Sequence, residues 1–236
     1  MSESDRSSQA SPGPWHKGER LLQQRLGVAE KMESHGLRVI RDFMPEQHRL
    51  FYAQLPFLFL GAVDESGAPW ATVIEGPPGF VSSPDPKTLR IATRPSSADP
   101  VSPSFAAGAS LGMLGIELHT RRRNRVNGRV TELDRDGFAV TVEQSFGNCP
   151  QYIQTREISS PLPVPPKREM PIERTAMLDD AARGMIAAAD TFFIASYVDV
   201  DGDPAKRGVD VSHRGGKPGF VRIDGQVLTI PDFSGN

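Results

Sequence analysis

Cysteine is almost absent from these 236 residues. With Cys149 alone, no disulfide can form within the chain, which points to a reducing compartment. No run approaches the roughly 20 apolar residues of a membrane span. The opening MSESDRSSQASPGPWHKGER is polar and holds no apolar stretch of signal-peptide length, so the expectation is a cytoplasmic protein with no membrane partner. Neither charge sign is in excess: 27 Lys+Arg stand against 29 Asp+Glu, for a net charge of −2. That removes the global basic field that would attract nucleic acid or anionic membrane, so any anion site must be local. Metal-ligand spacing is missing from His16, His35 and His48, whose expected roles are packing or solvent contact. Asp199, Asp201 and Asp203 alternate as in a calcium loop, but the adjoining Pro204 and the lack of a closing Glu predict a hairpin turn. No Gly-rich nucleotide loop, Ser/His/Asp set or paired catalytic carboxylate stands out.

What the chain has is Gly (22), Pro (21) and Phe (12), a composition for turn-rich β structure around a Phe and aliphatic core. Residues 1–16 read as a disordered tail, and 17–54 as N-terminal helices. Leu22, Leu26, Ala29 and Met32 predict an amphipathic helix from Lys17 to Phe43, broken at Gly36, and a second helix opens at Pro45 and stops before Pro56. Phe57–Val63 and Pro69–Glu75 then form a hairpin about Asp64–Gly67. Further strands are expected at Thr88–Ala92, Leu111–Glu117, Arg123–Leu133 and Phe138–Glu143, a meander that must close into a small barrel or sandwich. Asn148-Cys-Pro150 reads as a helix cap with proline in the first turn, and Cys149 as a small buried residue. These strands make a first unit, 55–158, followed by a stiff Pro-rich linker, 159–175.

Beyond the linker the pattern restarts. A helix at Asp179–Ala189 precedes the strand Phe192–Val198 and an Asp/Gly turn. Gly67, Phe80 and Leu89 find counterparts in Gly202, Phe220 and Leu228 at a nearly constant offset. One unit is used twice, the second spanning 176–236 and incomplete, because it stops at Pro231-Asp-Phe-Ser-Gly-Asn236 in what reads as a loop. The chain is then a fragment, or its second half takes strands from elsewhere. From Arg207, a strand places Val209 and Val211 on one side and Gly208, Asp210 and Ser212 on the other. It runs into a loop of His213, Arg214, Gly215, Gly216 and Lys217. Such donors among glycines suit an anion such as phosphate; a solvated surface loop is the plain alternative. The run His119–Arg125 reads equally as a solvated, edge-protecting strand, and lacks the aromatics of a nucleic-acid patch.

The segment from Asp190-Thr-Phe-Phe-Ile-Ala through Ser212-His-Arg-Gly-Gly-Lys-Pro-Gly-Phe to Pro231–Asn236 resembles the flavin-binding split-barrel family related to pyridoxamine 5′-phosphate oxidase, in particular its predicted flavin-nucleotide-binding branch. Met44–His48, Leu55–Leu58, Gly76–Phe80 and Phe146–Ile153 are similar to the same branch. The resemblance implies a mainly β (α+β) fold of tandem split-barrel units, packed as an internal pseudo-dimer or a homo-oligomer. It also implies FMN as cofactor, with its phosphate held by Arg, Lys and Ser/Thr. Arg207 matches the Arg that opens the phosphate strand, and Ser212, His213, Arg214 and Lys217 follow it in strand and loop. Ser234 begins a piece similar to the family's Ser-Arg-Lys, although Gly235 and Asn236 replace the cations. In the first unit Thr72 stands at the repeat position of Arg207, so that unit's own phosphate strand reads as degenerate. Arg122–Gly128 resembles a later strand beside the flavin, which puts Arg123 and Arg125 in a composite site with the second unit's donors. The implied function is FMN binding in an oxidoreductase, or in the front part of a larger reductase, with NAD(P)H or a reductase domain as partner. The alternative is a non-catalytic module for flavin, haem or another anionic ligand.

Overall fold

The computed structural model describes residues 13–157, 175–199 and 208–233, and the chain divides into two units, Met1–Arg41 and Asp42–Asn236. The first is a helix pair, α1 (Lys17–Arg25) and α2 (Ala29–Val39). Nδ1 of His16 accepts from the Gly18 amide at 3.0 Å while Glu19 accepts from the His16 amide at 2.9 Å, a capping box that starts α1. The periodicity predicts a break at Gly36; the break comes instead at Gly27. There φ is +68°, a left-handed conformation that ends helices and that glycine adopts without a Cβ clash. Gly36 is buried inside α2 against the indole of Trp15, whose Nε1 donates to the Met32 carbonyl at 3.1 Å. Trp15 and His16, at the end of the segment read as a tail, belong to the helix pair. Residues 1–12 lie outside the described residues, as do the Asp201–Asp203 turn and most of the Pro-rich segment.

The second unit begins with α3 (Glu46–Ala53) and an antiparallel sheet of β1 (Phe57–Val63), β2 (Pro69–Glu75), β3 (Val81–Asp85), β4 (Thr88–Ile91), β5 (Ser110–Glu117), β6 (Arg122–Leu133) and β7 (Phe138–Gly147). Their order is β2-β1-β5-β6-β7-β4-β3. Strand alternation sends Leu58, Leu60, Ile74, Val81, Leu89, Ile91, Met113, Val126 and Val140 into one buried cluster, so the sheet is curled around a single core. Phe51, Tyr52 and Leu55, on α3 and just after it, complete that core. Irregular register between β6 and β7, at Asn127/Gly128 and Val130/Glu132, assists the bend. Because the end strands β2 and β3 do not pair, the barrel stays split, and the fold is mainly β (α+β) as expected. Strand β3 escapes a sequence reading because Val81-Ser-Ser-Pro-Asp85 has one apolar residue and a proline. A proline-bearing strand is tolerated at a sheet edge, which is where β3 lies.

Two expectations near the end of β7 are corrected. No helix follows Asn148-Cys-Pro150: Tyr152 takes φ +63°, which a right-handed helix cannot contain. Cys149 is exposed. Later come α4 (Asp180–Ala188), the hairpin β8 (Thr191–Val198) and β9 (Gly208–Gly215), and the small hairpin β10 (Arg222–Asp224) and β11 (Val227–Thr229). The turn leaving each longer hairpin has the same geometry. The Gly76 amide donates to the Pro56 carbonyl (3.1 Å) and the Gly216 amide to Asp190 (2.9 Å). Phe80 donates to Pro77 (2.9 Å) and Phe220 to Lys217 (3.0 Å). Among the described residues no helix is long and apolar enough to cross a membrane.

Candidate functional site

The outer face of the barrel is built for close approach at two points. Gly61 on β1 and Gly112 on β5 face each other in register, and a Cβ at Gly112 would lie 2.7 Å from Asp210 Cα and 2.8 Å from the Val209 carbonyl oxygen. Glycine there lets the backbone of β9 rest directly on the sheet. Beside it, Phe193 of β8 stacks on Phe59 of β1. With the β8–β9 hairpin so placed, the outward residues of β6 meet those of β9.

Arg123 and Arg125 point outward from β6, two residues apart, while Val126 points into the core. Nη1 of Arg125 donates to Asp210 Oδ2 at 2.6 Å and Nη2 to Ser212 Oγ at 2.9 Å. Arg123 donates through Nε to the Cys149 carbonyl (2.6 Å) and through Nη1 to Nδ1 of His213 (3.2 Å). A guanidinium can only donate, so Nδ1 of His213 carries the lone pair and Nε2 the proton. Nε2 is buried and has no partner, and neither has the buried Nε of Arg125. Arg214 donates to the His213 carbonyl at 3.0 Å. His213 and Arg214 line a small cavity with Tyr152, Phe220 and Phe233, where the rings of Tyr152 and Phe233 stack.

The charges are unevenly matched. Burial and then the nearby Arg125 lower Arg123 to about 10, leaving it a cation at neutral pH. Arg125 is also lowered by burial, which Asp210 opposes. Burial raises the Asp210 carboxyl while Arg125 pulls it back. His213 falls to about 4, because it is buried and Arg123 and Arg214 stand close by. The folded chain therefore holds His213 neutral, whereas the unfolded chain protonates it below about 6.5. Its contribution to stability is complete above that pH and is lost as pH falls toward 4. Denaturant titrations should show the wild type losing about 2 kcal/mol between pH 7 and 5 from this group, and His213→Gln removing that part of the slope.

Several expectations meet at this seam. Arg123, Arg125, Ser212, His213 and Arg214 come together, with Lys217 exposed in the turn beyond. Arg207 and Ser234 lie outside the described residues. One placement is corrected: His213 and Arg214 do not sit in a loop, since β9 continues through Gly215. His213 shares the buried side of Val209 and Val211. The strand persists because the pairing with β8 runs unbroken from Val198↔Gly208 to Thr191↔Gly215. Sequence reasoning missed Asp210 as a partner. The signal available was the complementary spacing of Arg123/Arg125 and Asp210/Ser212, each pair two apart on a strand.

Comparison with solved structures finds a general likeness to a 1.70 Å crystal structure of a tagged form of HupZ from Group A Streptococcus. Identity is 13%, coverage 44% of this chain and 94% of that one, and the TM-score 0.34. A 1.98 Å structure of a single-residue variant of the same protein gives 12%, 44%, 99% and 0.34. No curated protein matches the chain. A family model described as pyridoxamine 5′-phosphate oxidase matches residues 44–168. That match spans α3, the whole seven-stranded sheet and the strand carrying Arg123 and Arg125, more than half of the 236 residues, and the chain belongs to the pyridoxamine 5′-phosphate oxidase family.

Proposed function

We propose that the seam between β6 and β9 holds the phosphate of FMN and that the protein works as a flavoprotein in an oxidoreductase setting. One observation carries this reading: Arg125 and Arg214 stand about a single carboxylate, Asp210, and Arg123 stands beside both of those arginines. Buried cations need compensating charge and hydrogen bonds, and three guanidiniums against one carboxylate leave two positive charges for a ligand to meet. The donors fit a phosphate. The three arginines, the Ser212 hydroxyl and the unpartnered Nε2–H of His213 would hold it, with Arg207, Lys217 and Ser234 added on the family resemblance. When bound, the isoalloxazine supplies electron or hydride transfer, with NAD(P)H or a reductase domain as the class of donor, and the protein supplies orientation and electrostatics.

The tandem reading belongs to the same proposal. The elements α4 and β8–β11 follow in the order of α3 and β1–β4. Phe59 and Phe193, each three residues after the carbonyl that accepts the turn glycine, stack on one another. β9 packs on β1 as β2 packs on β8, the reciprocal pattern of a two-fold interface, so the chain is its own pseudo-dimer.

The test begins with purified protein: a yellow flavin spectrum, FMN by mass spectrometry, and bleaching by NAD(P)H. Arg214→Ala should weaken FMN about ten- to a hundredfold and riboflavin, which lacks the phosphate, far less, with little change in melting temperature. Parallel losses for the two ligands would count against a phosphate clamp. A second reading, a non-catalytic module for flavin, haem or another anion, is favoured by His213 being held neutral across the physiological range, which leaves it fixed as a donor. A bound chromophore that NAD(P)H never bleaches would support it.

A further inference from the structure

The turns that leave the two longer hairpins align the repeats residue by residue: Pro56 and Asp190 hold like places, and so do Phe80 and Phe220. Ile194 then stands where Leu60 does, each four residues past the carbonyl that accepts the turn glycine. Leu228 and Ile230 take the places of Leu89 and Ile91, because Asp224 opposes Val227 as Asp85 opposes Thr88. Leu60, Leu89 and Ile91 are fully buried, whereas Ile194, Leu228 and Ile230 are 44%, 41% and 42% exposed. The helices show the same reversal. Met185, five residues before Asp190 as Phe51 is before Pro56, is 76% exposed against 1% for Phe51. What buries the first set is the β5–β6–β7 meander: β5 brings Met113 opposite Leu60, and β7 brings Val140 opposite Leu89 and Phe138 opposite Ile91. Among the described residues β8 pairs only with β9, and β11 only with β10. The two edges that hold the meander in the first repeat are therefore both open in the second, and both carry exposed apolar side chains. Open strand edges template pairing with further strands, and exposed apolar patches mark contact surfaces.

We infer that α4, β8 and β11 form a docking surface for a three-stranded antiparallel meander with apolar inward side chains, one outer strand adding to β8 and the other to β11. This rests on the tandem reading and is independent of the phosphate site. The partner is a polypeptide segment other than β5–β7. A second copy cannot lend its own meander, because Met113, Val126 and Val140 are fully buried in its first barrel and leave it only if that barrel unfolds. Main-chain hydrogen bonds along the two edges supply affinity, and apolar side chains set against Ile194, Leu228 and Ile230 fix the register, since a slip of one residue would turn them to solvent. Leu89-Arg-Ile91 and Leu228-Thr-Ile230 present the same apolar pair, so the kind of strand that fits β4 fits β11.

A synthetic peptide of residues 110–147, the first repeat's own meander, is the probe. Added to the full chain, it should slow amide exchange along both β8 and β11, while a scrambled peptide of the same composition should not. Leu228→Asp should weaken peptide binding at least tenfold and leave the melting temperature of the free chain nearly unchanged, because the side chain it replaces is already half in solvent. A large drop in that melting temperature would overturn the proposal, since it would mean the face is covered within the chain. So would protection confined to β4, which would report strand exchange into the first barrel, and so would no protection at all. Protection of β11 that rises with protein concentration in the absence of peptide would give the face to a second copy. Protection at only one of the two edges would overturn the tandem alignment itself. FMN titrated in parallel keeps the two readings apart: a chain that binds FMN but never the peptide loses the docking surface alone.

Discussion

Replacing Gly112 by alanine should destabilise the protein by about 2–3 kcal/mol. The new methyl would stand 2.7 Å from Asp210 Cα and 2.9 Å from its carbonyl carbon. Both contacts are backbone, so no side chain can swing away, and β9 must lift from the sheet together with Asp210, Ser212 and His213. Gly184, inside α4, is the control. Nothing lies within 4 Å of a Cβ there, so Gly184→Ala should stabilise by up to about 1 kcal/mol through helix propensity. Urea unfolding followed by circular dichroism compares the two. A Gly112→Ala protein as stable as wild type would mean the hairpin does not rest on β5.

Removing the Arg125 guanidinium should have the larger effect, about 3–5 kcal/mol for Arg125→Met, since it leaves Asp210 without its ion-pair partner in a largely desolvated seam. Most of that loss belongs to the stranded carboxylate. Adding Asp210→Asn to Arg125→Met should therefore recover about 1–3 kcal/mol. Additive losses in the double-mutant cycle would show that the 2.6 Å contact contributes little to stability. Neutralisation of Asp210 in the single variant bounds its cost, so the deficit should shrink as pH falls.

The barrel was legible because its strands are apolar runs closed by turn residues, with inside–outside alternation along strands such as β6. Phe57–Val63 and Pro69–Glu75 coincide with β1 and β2. Where alternation fails, so does the reading: β3 hides behind Ser-Ser-Pro, and the helix break sits at Gly27 and not at Gly36 because the nearby Trp15 ring, a tertiary contact, makes Gly36 part of a helix interior. At the site, residue type singled out Ser212, His213 and Arg214, and the family resemblance added Arg123 and Arg125, but neither gave their pairing. That Asp210 answers Arg125, and that a backbone carbonyl at position 149 answers Arg123, depends on where β9 crosses the barrel. The crossing is set by Gly61 and Gly112, which in sequence are merely two glycines in strands.

Strand β6 also carries a consequence for the interior. The Tyr52 hydroxyl donates at 2.8 Å to the carbonyl of Asn124, the residue between Arg123 and Arg125. A fully buried ring on α3 thus grips the same peptide segment whose outer side chains face β9. The strand behaves as a lever with the core at one side and the arginines at the other. Repacking around Tyr52 will be transmitted as a change in the aim of both guanidiniums, so the pairing of Arg125 with Asp210 and of Arg123 with His213 can be tuned from the middle of the barrel without altering any of those four residues.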